Sequence, residues 1–246
     1  MLQDQINKTA CQFSDNNKLS IIVPVFNEEH LIEKSLPTIC QLSINKEVIV
    51  VDDGSSDRTP IILVALQKQH NFHLIRQEPN QGKGAAVKRG LKEITGNYFI
   101  VCDADLEYDP NDIERLFLKM SSLINSENDG KLAIFGSRFL NKPRPSFHYL
   151  VNRFLTELTN LLFRVKLTDM ETCFKLIPTS ALASINLSGK RFEIEPEITA
   201  RLIKSGYKIK EFPISYARRG YSEGKKITAK DGLLAVITIF KEWRRD

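Results

Sequence analysis

Residues 97–105 read Asn-Tyr-Phe-Ile-Val-Cys-Asp-Ala-Asp, an apolar run that ends in two carboxylates. The apolar part has the length of a strand buried on both faces, as the strands of parallel sheets are. Asp103 and Asp105 are two residues apart, so extended backbone would point both side chains to the same side. The stretch therefore predicts a buried strand that places two carboxylates together at one edge of a sheet.

Apolar runs of the same kind recur along the first part of the chain, and segments with helical periodicity separate them. The runs predict strands at 19–26, 47–51, 72–76 and 132–136, and the periodic segments predict helices at 28–40, 59–70, 82–94 and 109–123. This alternation predicts an α/β fold, with a doubly wound and mostly parallel sheet flanked by helices. Ligands of such sheets bind beyond the carboxyl ends of the strands.

The pattern changes after Phe139, where strands become sparser. The remaining residues predict helices at 148–163, 178–187, 195–205 and 228–243, strands at 173–177 and 207–214, and a loop at 218–226. Residues 1–18 are polar and predict an N-terminal extension ahead of one domain that covers 19–246. Within that domain we expect the nucleotide-binding half at about 19–137.

Composition narrows the class of protein. Of the 246 residues, 42% are hydrophobic and 26% are charged, as expected for a globular chain with a core. The net charge of +5 suits anionic partners such as phosphates or a lipid surface. Without a basic-aromatic motif, we expect no nucleic-acid partner. No apolar stretch approaches the roughly 20 residues of a membrane-spanning helix, and residues 1–18 lack the apolar core of a signal peptide.

The cysteines give no sign of a metal or disulfide framework. None of the four is spaced as a CxxC pair, and no paired histidines accompany them, so we expect no zinc site. Reduced thiols in a reducing compartment are the simpler interpretation. We therefore expect a cytoplasmic protein.

Acidic side chains follow three of the first four predicted strands. Asn27 and Glu28 follow the first, Asp52 and Asp53 the second, and residues 103–105 the fourth. Carboxyl ends of parallel strands meet at one edge of a sheet, so we expect these side chains to gather there. Two adjacent carboxylates are costly without partners, which favours ligand contact for Asp52 and Asp53.

The pair Asp103 and Asp105 predicts a Mg²⁺ or Mn²⁺ site, because hard divalent ions take oxygen ligands and leave positions for phosphate. Glu107 is two residues further on and is a third candidate ligand. The alternative interpretation is that these acids cap the helix that begins near Asp109 and Pro110.

Two further segments look like helix starts. Asp57 follows Gly54 and precedes Thr59, where it is expected to cap the helix. Lys83 follows the segment 80–82 at the start of another helix, where a lysine and small residues can approach an anion.

In order and spacing, these elements resemble glycosyltransferase family 2 and its GT-A fold. The matching segments are Val23-Pro-Val-Phe-Asn-Glu28, Val51-Asp-Asp-Gly-Ser-Ser-Asp57, Asn80-Gln-Gly-Lys-Gly84 and Asp103-Ala-Asp105. Later segments are similar to the dolichyl- and polyprenyl-phosphate sugar transferases of that family, the dolichyl-phosphate mannose synthases among them. Those segments are Gly136-Ser-Arg138, Thr168-Asp169 with Cys173-Phe-Lys175, Phe192-Glu-Ile-Glu-Pro-Glu197 and Arg219-Gly-Tyr-Ser-Glu-Gly-Lys225.

The resemblance implies roles for individual residues. The donor nucleotide-sugar is expected at Pro24, Val25, Asn27, Glu28, Asp52, Asp53, Lys83, Asp103, Ala104 and Asp105, with the metal at Asp103, Asp105 and, less typically, Glu107. Arginines like Arg138 and Arg153 receive the acceptor phosphate, in an acceptor-binding half at about 138–246. Loop cations like Arg219 and Lys225 close over the donor diphosphate.

The implied reaction is an inverting, metal-dependent transfer of a hexose from a GDP- or UDP-sugar to a polyprenyl or dolichyl phosphate. The implied catalytic residues are Asp105, Asp169, Arg219 and Lys225. A sugar hydroxyl of a cell-surface polysaccharide or lipopolysaccharide is the alternative acceptor. It would need a base, for which Asp169 is the candidate, although a structural role for Asp169 is equally open. A protein that binds a nucleotide-sugar without catalysis is the alternative from another class.

Membrane contact is a separate hypothesis. The predicted helix 148–163 carries more apolar residues than one core-facing stripe requires, and basic residues flank it. Such a helix can lie at the surface of a bilayer, here the cytoplasmic face of the membrane. Burial against the sheet or against a second subunit is the alternative.

Overall fold

A computed structural model of the chain describes residues 16–124, 130–140, 147–217 and 229–245. The described part holds one seven-stranded sheet in the order β3-β2-β1-β4-β6-β5-β7. The strands are β1 (Leu19–Val25), β2 (Lys46–Asp52), β3 (His73–Arg76), β4 (Tyr98–Val101), β5 (Leu132–Ser137), β6 (Lys175–Pro178) and β7 (Lys208–Pro213). The helices are α1 (Ile32–Cys40), α2 (Thr59–Gln67), α3 (Lys83–Leu91), α4 (Asn111–Ile124), α5 (Phe147–Phe163), α6 (Ile194–Lys204) and α7 (Ala229–Arg244).

The sheet is mostly parallel, as predicted. β1 pairs in parallel with β2 and β4, β2 with β3, and β5 with β7. β6 is the exception, because it runs antiparallel to both of its neighbours, β4 and β5. β5 therefore reaches the first four strands only through β6, a strand from the second part of the chain.

Both faces of the sheet are covered, which is why its strands are apolar without alternation. In β2, Val48 and Val50 belong to one core cluster, whereas Ile49 and Val51 belong to a cluster on the opposite face. A smaller cluster joins α5 to α7 around residues such as Leu155. No helix within the described residues combines the length and the apolar character needed to cross a bilayer.

One predicted helix is largely wrong. Residues 178–187 were expected to be helical, but only a short 3-10 helix, Thr179–Ala183, forms there. The competing interaction is visible just beyond it, where the carboxylate of Glu197 accepts bonds from the backbone N–H groups of Ser188 and Gly189. Those bonds hold the chain in a turn. The predicted extension falls almost entirely outside the described residues, and the predicted loop 218–226 lies wholly outside them.

Glu47 joins the opposite end of the sheet to the turn that precedes β4. Its Oε2 accepts bonds from Lys18 Nζ and Thr95 Oγ1, each at 2.8 Å. Its Oε1 accepts bonds from Ser20 Oγ at 2.5 Å and from Thr95 N at 2.6 Å. Partial burial raises the pKa of Glu47, but the bonds from Lys18, Ser20 and Thr95 outweigh it and lower the pKa from 4.5 to about 2.

Substituting Glu47→Gln is expected to lower the free energy of unfolding by about 1–2 kcal/mol at pH 7, because charged hydrogen bonds are lost. A carboxyl whose pKa is lowered by folding adds stability above its unfolded pKa and loses that contribution as pH falls toward its folded pKa. The difference between wild type and variant should therefore shrink between about pH 4.5 and pH 2. Urea titrations across this range measure it, with the exposed Glu33→Gln as control. A difference that stays constant with pH would contradict the assignment.

Candidate active site

A cleft of about 690 Å³ opens at the carboxyl edge of β1, β2 and β4. Because these strands are parallel and adjacent, the residues that follow them converge on one place, as the sequence predicted. The predicted site residues that line the cleft are Pro24, Val25, Glu28, Asp53, Lys83, Asp103, Ala104, Asp105, Glu107 and Arg138. Asn27, Asp52, Arg153 and Asp169 do not line it, and Arg219 and Lys225 lie outside the described residues.

Asp53 is buried, and its carboxylate holds the segment that leads into α3. Oδ2 accepts bonds from Asn80 Nδ2 at 2.9 Å and from Gly82 N at 2.7 Å. Oδ1 accepts bonds from Gln81 N at 2.9 Å and from Gln77 Nε2. The premise that this carboxylate lacks protein partners is wrong, although Asp53 still lines the cleft.

Asp52 also has protein partners. Its Oδ1 accepts a bond from Ser55 N at 3.0 Å, and its Oδ2 lies 3.8 Å from Arg76 Nε. The side chain is 1% exposed, so it shapes the turn after β2 rather than the wall of the cleft. Asp57 Oδ1 accepts a bond from Thr59 N at 2.9 Å at the start of α2, although the N-cap position itself is Arg58.

Asn27 shapes the end of β1. Its φ of 48° lies in the left-handed region, which asparagine tolerates better than most residues. Asn27 N donates to Ser55 Oγ at 2.9 Å, and Asn27 Oδ1 accepts from Ser56 N at 2.8 Å. The ends of β1 and β2 are thereby locked together, which fixes the neighbouring Glu28 at the cleft.

Gly82 begins α3 at a point of close backbone approach. Its φ is 96°, and a Cβ placed there would lie 2.5 Å from the carbonyl oxygen of Lys190. The same carbonyl accepts a bond from Ala85 N at 3.0 Å. Only glycine fits this position, and the contact brings the start of α3, with Lys83, against the segment that precedes α6.

Lys83 connects the two sides of the cleft floor. Its Nζ lies 2.9 Å from Asp103 Oδ2 and 3.3 Å from Glu195 Oε1. Lys175 contacts the other side of the same glutamate, with Nζ 2.7 Å from Glu195 Oε2. Burial lowers the pKa of Lys83, but Asp103 and Glu195 outweigh that effect and hold it well above its usual value. Lys83 therefore stays charged at neutral pH.

Asp103 and Asp105 fit a divalent ion, whereas Glu107 is engaged elsewhere. Both aspartates line the cleft, and the Asp103 side chain keeps 22% of its surface exposed. Glu107 Oε2 accepts a bond from Tyr216 OH at 2.8 Å. Within the described ranges, no three acidic, histidine or cysteine side chains converge as a complete metal site. Two carboxylates suit Mg²⁺ or Mn²⁺, which fill their remaining positions with phosphate oxygens and water.

Arg138 also lines the cleft and is held by Asp169. Arg138 Nε lies 2.7 Å from Asp169 Oδ2, and Nη2 lies 2.6 Å from Oδ1. Aromatic rings surround the guanidinium, with centroids 5.2 to 5.9 Å away in Phe139, Tyr216 and Tyr108. Asp169 is fully buried, and both of its oxygens contact the arginine. This geometry favours the structural interpretation of Asp169 over the base.

Arg153 does not reach the cleft. It lies on α5, where Nη2 pairs with Glu157 Oε1 one turn away at 2.5 Å. Its neighbours Asn152 and Phe154 line the cleft instead. The expectation that Arg153 receives the acceptor phosphate has no support in this arrangement, because the helix presents that side chain elsewhere.

Sequence reasoning missed several residues of the cleft. Tyr108, Glu171 and Tyr216 line it, and Lys175 pairs beneath it. Glu195 was only a candidate to face the donor sugar, and the structure places it in the cleft wall. The sequence could have indicated Glu171, because Asp169 and Glu171 are two residues apart before β6, at the same spacing as Asp103 and Asp105.

Comparisons with known proteins agree with this geometry. A sequence model of the family described as glycosyl transferase family 2 matches residues 20–185. A dolichol-phosphate mannosyltransferase of Pyrococcus furiosus is 29% identical over 85% of this chain and 59% of its own length. A dolichyl-phosphate beta-glucosyltransferase of Trichomonas vaginalis is 29% identical over 80% of this chain and 65% of its own length. This chain thus spans about three fifths of the length of both relatives.

The fold is also found among solved structures. The crystal structure of glucosyl-3-phosphoglycerate synthase from Mycobacterium tuberculosis with Mn²⁺, UDP and phosphoglyceric acid has a TM-score of 0.69 to this chain. The match covers 97% of this chain and 82% of the synthase at 18% identity. At that identity the likeness concerns the fold.

Proposed function

The chain belongs to glycosyl transferase family 2, and from this premise we propose that it transfers a hexose from a nucleoside-diphosphate sugar to the phosphate of a polyprenyl or dolichyl lipid. The observation that carries the proposal is that one cleft brings together carboxylates suited to a metal-bound diphosphate and a guanidinium suited to a second phosphate. Asp103, Asp105 and Arg138 all line it. The two named relatives use different sugars but share dolichyl phosphate in their names, which supports the acceptor class.

The donor diphosphate is assigned to the carboxylates. A divalent ion held by Asp103 and Asp105 would neutralise the charge that grows on the departing nucleoside diphosphate. Lys83 is buried, charged and fixed between Asp103 and Glu195, so it adds a preorganised cation on the same side. Pro24, Val25 and Glu28 at the end of β1 would hold the nucleoside.

The acceptor phosphate is assigned to Arg138. Asp169 takes Nε and Nη2 of the guanidinium, so among the described contacts Nη1 keeps its hydrogens for a ligand. An arginine fixed in this way binds a phosphate oxygen without losing side-chain freedom. Because a phosphate acceptor is already anionic, attack on the sugar needs no general base, and Asp169 acts as a positioning residue.

Contact with a bilayer surface is part of the proposal. Apolar side chains are exposed along α5 and α7, namely Leu150, Phe154, Leu161, Leu233, Ile237, Phe240 and Trp243. Phe154 and Leu233 also line the cleft, so the exposed apolar face reaches the cleft mouth. A long polyprenyl chain would remain in the bilayer while its phosphate enters beside Arg138.

The decisive experiment supplies the purified chain with vesicles that contain polyprenyl phosphate, a panel of GDP- and UDP-sugars, and Mn²⁺ or Mg²⁺. We expect a lipid-linked hexose from one nucleotide-sugar, loss of product with EDTA, and co-flotation of the chain with the vesicles. Product on a soluble glycan only would replace the acceptor proposal with a hydroxyl acceptor. Donor binding without any product would favour the non-catalytic binding protein.

A further inference from the structure

Among the described residues, the cations that interact with Glu171 already pair with other carboxylates. Arg138 lies 2.6 Å from Asp169, and Lys175 lies 2.7 Å from Glu195, which also contacts Lys83. The charge interactions of Glu171 involve Lys175, Glu195, Arg138 and Asp169. Neither of these two described cations forms an ion pair with Glu171 itself.

One oxygen of the Glu171 carboxyl has no hydrogen-bond partner among the described residues. Its Oε1 is buried and accepts no hydrogen bond there, and the residue lines the cleft. A buried oxygen left in this state costs roughly 1–3 kcal/mol, and native structures contain few of them. Because the residue lines the cleft, a group of the substrate is the partner that would satisfy its carboxyl.

The surroundings define which partner it takes. A phosphate bound directly to Glu171 would be repelled by its carboxylate, for which no cation is left among the described residues, so a neutral group is favoured as its partner. A neutral hydroxyl donates to a carboxylate and accepts from a carboxylic acid. Burial raises the pKa of Glu171 to about 7, with Lys175 lowering it and Glu195 raising it, so both forms exist near neutrality.

The position of Glu171 indicates which part of the substrate carries this hydroxyl. Its charge interactions involve Lys175 and Glu195, which connect to Lys83 beside the carboxylates assigned to the donor, and Arg138 with Asp169, which are assigned to the acceptor phosphate. The transferred hexose passes from the donor to the acceptor phosphate, so it lies between the groups that bind them. We propose that Glu171 hydrogen-bonds a hydroxyl of the donor's hexose and so selects which sugar is transferred. This inference rests on the proposed function and assigns the sugar subsite within the same cleft.

The first test separates the sugar from the nucleotide. Glu171→Ala and Glu171→Gln are compared with wild type by calorimetric titration of GDP or UDP, and by steady-state transfer assays with the matching nucleotide-sugar, all with Mn²⁺. We expect nucleoside diphosphate affinity to stay within about twofold and kcat/KM for the sugar donor to fall by roughly 10- to 100-fold in Glu171→Ala. Glu33→Gln, at an exposed acid on α1, is the matched control.

The second test identifies the hydroxyl by a double comparison. Single-deoxy analogues of the hexose are assayed with wild type and with Glu171→Ala. One analogue, which lacks the hydroxyl that Glu171 binds, should have a kcat/KM roughly 10-fold or more below that of the parent sugar in wild type. In Glu171→Ala the same analogue and the parent sugar should have equal kcat/KM values. Equal penalties in both proteins for every analogue would overturn the assignment.

The two proposals fail in different ways. If wild type neither binds nor turns over any nucleotide-sugar, the proposed function fails. If wild type is active and both Glu171 variants keep full kcat/KM, only the inference about Glu171 fails. The melting temperature shows whether the variants fold. Removal of a buried carboxyl oxygen without a hydrogen-bond partner should leave it unchanged or higher.

Discussion

Replacing Asp105 by asparagine is expected to lower the turnover rate about a thousandfold while the fold stays intact. Asp105 lines the cleft beside Asp103, and its Oδ1 accepts a bond from Glu107 N at 3.1 Å. Asparagine keeps the shape of the side chain but loses the charge that attracts a divalent ion. Loss of one group that stabilises a transition state typically costs 10²–10³ in rate, and loss of the ion's charge costs at least as much.

The control for this prediction is Asp109→Asn, four residues further along the same segment. Asp109 Oδ1 accepts a bond from Asn111 N at 3.0 Å at the start of α4 and does not line the cleft. Asparagine is as good a helix cap as aspartate, so this variant should keep full activity. Single-turnover assays at saturating donor and Mn²⁺ measure both variants. If Asp105→Asn kept more than a tenth of the wild-type rate, Asp105 would not hold the metal.

Replacing Asp169 by asparagine should damage both stability and acceptor use. The substitution removes the partner of a buried guanidinium, and breaking such a pair typically costs about 3–5 kcal/mol. Arg138 would also lose the bidentate contact that fixes its orientation. We expect KM for the lipid phosphate to rise by roughly 100-fold, with a much smaller change in nucleotide-sugar affinity.

Comparison with a double variant tests whether Asp169 positions Arg138 or acts as a general base. The double variant Arg138→Gln with Asp169→Asn removes both charges, so it should recover most of the lost stability but not the activity. Glu157→Gln breaks the exposed pair with Arg153 and should change the free energy of unfolding by less than about 1 kcal/mol. An Asp169→Asn protein that melts like wild type and has lost only kcat would instead support the base.

Much of the sheet could be predicted because strand identity is a local property. The apolar runs at 19–26 and 47–51 match β1 and β2 to within a residue or two. The direction and place of β6 could not be predicted, because they depend on pairing with β4 and β5 across long stretches of chain. The helix predicted at 178–187 is reduced to Thr179–Ala183 by the same kind of distant contact, since Ser188 and Gly189 just beyond it donate their backbone N–H groups to Glu197 of the next helix.

The candidate site likewise has features that local sequence predicts and features that depend on long-range packing. Convergence of the acids that follow β1, β2 and β4 follows from parallel topology, which the sequence pattern indicates. Glu195 pairs with Lys83 and Lys175 and so joins two helices and a strand. This pairing could not be predicted, because the three residues are far apart in the sequence. The position of Arg153 away from the cleft could not be predicted, because its face of α5 depends on how that helix packs against α7. Of the adjacent pair Asp52 and Asp53, only Asp53 lines the cleft, because Asp52 bonds within the turn after β2.

The insertion of β6 has a consequence for synthesis of the chain. β4 ends at Val101, but the strand that covers its free edge begins at Lys175. Until a ribosome has produced that strand, the order β3-β2-β1-β4 leaves one side of β4 open, and open strand edges promote association between chains. Release of a nascent polypeptide before residue 175 would therefore leave the edge of β4 unpaired and prone to association with other chains.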